Sequence, residues 1–82
     1  MKTTYTIRMG SMTGDLIGTV EADTYEDAAL LGANLKGAAK TSARGRFGCN
    51  RETGTPGMSG VWSVRHGGAM VGQIHVQGPV RS

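Results

Sequence analysis

The chain has 82 residues, a formal net charge of +3, fourteen glycines and one cysteine, which bounds it to a single small domain, residues 1–82, with one modest core. A lone Cys49 excludes an internal disulfide framework and a zinc site built on paired cysteines, and fits a reducing compartment in which it serves as a small buried hydrophobe. Met1-Lys2-Thr3-Thr4-Tyr5 lacks the apolar run of a signal peptide, and no stretch approaches the ~18 apolar residues of a membrane span, so a cytoplasmic protein with no membrane partner is expected.

Charge is uneven along the chain. Residues 1–27 carry two basic and five acidic side chains, net −3, and residues 28–82 carry seven basic and one acidic, net +6. Such polarity steers an acidic partner, either nucleic acid or a protein with complementary patches.

Taken in order, Thr3 to Met9 alternates, placing Tyr5, Ile7 and Met9 on one face and Thr4, Thr6 and Arg8 on the other, the period of a half-buried strand. Turn residues from Gly10 to Asp15 lead into a second strand from Leu16 to Ala22, with Gly18, Val20 and Ala22 inward and Ile17, Thr19 and Glu21 outward. The one helix is expected over Asp23–Ala39. Asp23 or Thr24 serves as N-cap, Asp23 and Glu26 have the spacing of a capping box, and Ala28, Leu31 and Leu35, with Gly32 and Ala38 or Ala39, form the apolar stripe. Propensity falls from Gly37 onward, so the helix ends between Gly37 and Ser42.

Arg44 to Arg51 reads as a third strand with Phe47 and Cys49 inward and Arg44, Arg46 and Asn50 outward. Glu52 to Gly60 is a loop by composition. Val61 to His66 alternates again with Trp62 and Val64 on one face, Gly67-Gly68 makes a tight turn, and a last strand sets Met70, Gly72, Ile74 and Val76 against Val71, Gln73, His75 and Gln77. Together these give an α+β class: an antiparallel sheet of about five strands with one helix packed on one face, in the order ββαβββ.

No catalytic, metal or cofactor motif emerges. His66 sits at a turn and His75 within a strand, neither with Glu, Asp or Cys at ligand spacing. Gly57-Met58-Ser59-Gly60 lacks the flanking glycines and following helix of a nucleophile elbow. Gly45-Arg46-Phe47-Gly48 has the glycine spacing of a phosphate-clamping loop and the start of an RNA-recognition signature, but the further aromatics of that signature are missing. A non-enzymatic binding role is the expectation. Its candidate contacts are Arg8, Arg46 and Arg65 on the face opposite the helix, with Arg44 and Arg51 nearby, able to take phosphates or carboxylates in bidentate fashion. Ile17, Val61 and Val71 share that face as an apolar group suited to self-pairing in a homodimer or to a partner protein.

The opening Met1-Lys2-Thr3-Thr4-Tyr5-Thr6-Ile7, the strand running into a helix through Val20-Glu21-Ala22-Asp23-Thr24-Tyr25-Glu26-Asp27-Ala28, and Arg51-Glu52-Thr53-Gly54 before an aromatic-bearing strand resemble the small anti-CRISPR proteins of phages. The strand-to-helix passage is also similar to antitoxins of the HicB type. The anti-CRISPR resemblance implies a phage-encoded inhibitor without catalysis, acting in the host bacterial cell. It would bind a subunit of a CRISPR-Cas effector and block target-DNA binding or nuclease recruitment. It carries no contact residue over. Asp23, Glu26 and Asp27 at the helix start form a competing acidic patch that could mimic phosphates. The alternatives are a small basic nucleic-acid-binding or regulatory module and an antitoxin-like partner protein.

Overall fold

The structure, a computed structural model that describes residues 2–39 and 45–78, contains β1 (Thr3–Met9), β2 (Leu16–Ala22), α1 (Tyr25–Ala33), β3 (Gly48–Arg51), β4 (Gly60–His66) and β5 (Ala69–Gln77). The strands form one five-stranded sheet in the order β2-β1-β5-β4-β3, and every neighbouring pair is antiparallel. The first and last strands therefore meet in the interior of the sheet. The edges are β2 and β3, and α1, which joins them in sequence, packs on one face of the sheet.

Alternation in the sequence explains the inner face. Tyr5 and Ile7 of β1, Trp62 and Val64 of β4, and Ile74 and Val76 of β5 are all buried in one core on the α1 side of the sheet, each large side chain contributing about 1.5–3 kcal/mol through removal from water. Between β4 and β5, Gly67 and Gly68 both take positive φ, 60° and 86°, as a two-residue turn matched to the strand twist requires. The Tyr25 hydroxyl donates to Gly78 O at 2.7 Å, and the Tyr25 ring meets that of Tyr5 edge-on at 4.8 Å, which ties the helix start to the end of β5.

The helix keeps the expected start and most of its expected stripe, with Ala28, Gly32 and Ala38 buried and Leu35 packed on the core, but differs at its C-terminal end and at Leu31. Thr24, one of the two expected caps, is the N-cap, its hydroxyl accepting from Asp27 N at 3.1 Å, and the Glu26 carboxylate accepts from Arg51 and from Gly57 N. The helix stops at Ala33, six residues short of Ala39. Asn34 uses its side chain to hold the Phe47 backbone, the next turns tighten to three-residue hydrogen bonds, and Gly37 then takes φ +96°. The buried face is Ala28, Ala29, Gly32 and Ala33, and Leu31 points outward, 48% exposed. Close approach is the cause: a Cβ on Gly32 would lie 2.7 Å from Ile7 Cδ1, so the helix sits too near the sheet to admit a leucine there.

Two bulges reset the expected faces elsewhere. Ile7 opposes Gly18 while Arg8 opposes Leu16, leaving Ile17 as an extra residue; Val64 opposes Gly72 while Arg65 opposes Met70, leaving Val71 as another. Both extra residues pack against the core, and Met70, expected inward, is 54% exposed. The third strand is shorter than expected, starting at Gly48, and Arg44 lies outside the described residues. Among the described residues no helix is long and apolar enough to cross a membrane.

Candidate binding surface

The face of the sheet turned away from α1 carries the alternate residues of each strand. Arg8 on β1 stands opposite His75 on β5, which in turn stands opposite Val61 on β4. Beside this row, Gln73, Ser63 and Asn50 face one another across β5, β4 and β3, and Thr6 lies between Thr19 and Gln77. Arg65 is opposite Gly48, next along β4. The result is a broad polar surface with two arginines.

Both arginines are held in place by local bonds. Arg8 donates from Nη1 to Gly14 O at 3.2 Å, and Arg65 donates from Nε to Ser63 Oγ at 3.3 Å. Ser63 is fully buried between its neighbours and donates to Asn50 O at 3.4 Å. Each guanidinium thus keeps further N–H groups for a partner while its stem is fixed. His75, opposite Arg8 on the neighbouring strand, is half-buried. Burial and then the positive charge of Arg8 push its pKa below the ordinary value, and its Nδ1 is buried without a hydrogen-bond partner among the described residues. At neutral pH this ring is uncharged, so the positive charge of the surface comes from Arg8 and Arg65.

The other expected contacts lie elsewhere. Arg51 faces α1, not the open side of the sheet. Its guanidinium carbon lies 4.1 Å from the centre of the Trp62 ring, Nε and Nη2 donate to Glu26 Oε2 at 3.2 and 2.6 Å, and the rest of the group holds Thr53 O and Met58 O. Glu26 also accepts from Gly57 N at 3.0 Å. These bonds, Arg51 first, hold the Glu26 carboxyl below the usual carboxylate range against the opposing effect of burial. Arg51 is therefore a clamp between helix, loop and sheet. Arg46 is not on a strand; it is exposed beside the helix end, where it lines a groove with Leu30, Leu31, Asn34 and Gly45.

Of the apolar trio, only Val61 retains its expected place on the open face, because the bulges turn Ile17 and Val71 to the core. Two neighbouring leucines are exposed on the helix, Leu30 and Leu31, 44% and 48%, besides Leu16 and the methionines Met12, Met58 and Met70 elsewhere. A signal for this existed in the sequence: Ala28, Ala29, Gly32 and Ala33 form an alternative stripe of small residues, with the leucines on its far side.

Among the described residues no three of His, Cys, Asp and Glu cluster as a metal site requires. Cys49 lines a groove with Glu26, Leu30, Arg51, Pro56 and Trp62, but burial, and then the Glu26 charge, push its thiol pKa up. At neutral pH it is a thiol, not a nucleophilic thiolate. No known family model, curated protein or solved structure matches the chain.

Proposed function

We propose that the protein acts by binding, without turnover, and docks the open face of its sheet on a macromolecular partner. In keeping with the small anti-CRISPR proteins that its sequence resembles, the partner is a subunit of a CRISPR effector. The observation that carries this reading is the pair Arg8 and Arg65, tethered by their own hydrogen bonds on the sheet face opposite α1, among Thr6, Gln73 and Asn50. Guanidinium groups fixed on a rigid sheet meet carboxylates or phosphates with little ordering cost. An occupied effector surface is closed to target DNA or to the nuclease, so inhibition is stoichiometric.

A tagged pull-down from lysates of bacteria with active CRISPR systems tests this reading. The wild type is expected to recover effector subunits after nuclease treatment, and Arg8→Glu/Arg65→Glu to lose them while remaining folded. If only nucleic acid is captured, lost on nuclease treatment and falling steeply with salt, the inhibitor reading fails. A nucleic-acid-binding module then takes its place.

A further inference from the structure

Asp27, Leu30, Leu31 and Asn34 follow one another at i, i+3, i+4 and i+7, which aligns them on one side of α1. The opposite side is the small-residue stripe buried in the core. The two leucines therefore stand away from the sheet, and they separate two grooves of different charge. One is lined by Glu21, Asp23 and Asp27 with Lys2, and the other by Asn34, Gly45 and Arg46.

We propose that Leu30 and Leu31 form the centre of a two-fold interface in which α1 of a second copy of this chain packs antiparallel across them. A two-fold contact has to be self-complementary, and this surface is. With the axis between Leu30 and Leu31, position 27 of one copy faces position 34 of the other. Asn34 is pinned at that point: its Nδ2 donates to Leu30 O and Phe47 O at 2.9 Å each, and its Oδ1 accepts from Phe47 N at 2.7 Å. These bonds hold the adjoining Arg46 beside the helix end. The Asp27 carboxylate of each copy then meets the Arg46 guanidinium of the other, giving two equivalent pairs.

Charge selects this occupant. Parallel packing would set Asp27 against Asp27, and a partner of one sign would match one groove and be repelled by the other. A nine-residue helix is only about 13 Å long, so the contact is small and the dimer separates on dilution. The interface lies on the opposite side of the molecule from the open sheet face, and it holds or fails independently of the proposed function.

Sedimentation equilibrium at low salt over a wide concentration range tests the proposal. The mass is expected to rise from 8.5 kDa toward twice that value. Leu30→Ser/Leu31→Ser, with an unchanged circular dichroism spectrum, is expected to stay monomeric. Asp27→Arg and Arg46→Asp should each shift association to concentrations about tenfold higher, and the variant carrying both reversals should return to the wild-type curve. A monomer at every concentration overturns the proposal and leaves the leucine pair to a different protein. So does a dimer that persists unchanged in the double serine variant, or a pair of charge reversals that do not compensate.

Discussion

The guanidinium of Arg51 stacks on the buried ring of Trp62, its carbon 4.1 Å from the ring centre, and from there reaches Glu26 on the helix. Four separate parts of the chain meet at this side chain: β3, β4, α1 and the loop after β3. Arg51→Ala removes the stacking and the hydrogen bonds together, and is expected to cost about 2 kcal/mol. Arg51→Lys keeps the charge but neither the plane nor the fork, and should recover less than half of that loss. Urea denaturation of the two variants beside the wild type checks the order; equal stability of all three would remove Arg51 from its structural role.

The same contact sets a response to acid. Because the folded Glu26 carboxyl titrates below its ordinary value of 4.5, the unfolded chain binds the proton first, and the contribution of Glu26 is present above that pH and is lost as pH falls through the lowered value. Glu26→Gln should therefore be less stable than wild type at pH 7, by no more than about 1 kcal/mol for a half-exposed pair. The difference should shrink toward pH 3. Thermal unfolding at several pH values reads both numbers, and a gap that widens on acidification contradicts the account.

His75 offers a titration on the open face. Its pKa lies below 6.5 through burial first and the neighbouring Arg8 second. An NMR titration of the ring should give a midpoint under 6.5, and Arg8→Ala should raise that midpoint part of the way back, since burial persists. The sign for stability follows: the contribution is present above pH 6.5 and is lost as pH falls through the lowered value. A midpoint unaffected by Arg8→Ala would mean that the two side chains do not sense each other.

Gly32→Ala sets two effects in opposition. Alanine in a helix interior is favoured over glycine by up to about 1 kcal/mol, but its Cβ would lie 2.7 Å from Cδ1 of the fully buried Ile7. Overpacking of this kind costs about 1–3 kcal/mol, so a net loss of about 1 kcal/mol is expected. Gly32→Ala combined with Ile7→Val, which removes that methyl group, should lose less than the sum of the two single changes. A strictly additive pair would show that the contact does not set the distance between helix and sheet.

Much of the architecture was legible in the sequence because strand alternation is local. The bounds of β1 and β2 and the inward positions Tyr5, Ile7, Trp62, Val64, Ile74 and Val76 follow from period two alone. So does most of the helix stripe, Ala28, Gly32, Leu35 and Ala38; the outward turn of Leu31 did not follow, because periodicity ranks Leu31 above Ala29, whereas the distance fixed by Gly32 and Ile7 is a tertiary quantity. Nor did the bulges at Ile17 and Val71, which depend on how two strands pair. Of the expected contacts, Arg8, Arg65 and Val61 share the open face. Arg51 and Arg46 do not, since the engagement of the first by Glu26 and Trp62 and the placement of the second by Asn34 join residues far apart in the chain.

The most direct test of the central claim is phage plating on a panel of bacteria, each with one active CRISPR system targeting the phage and each expressing the protein. Wild type is expected to restore plaque formation in at least one strain, and Arg8→Glu/Arg65→Glu, expressed to the same level, to leave immunity intact there. No rescue in any strain, or equal rescue by the double variant, would contradict an inhibitor that acts through the open face of its sheet.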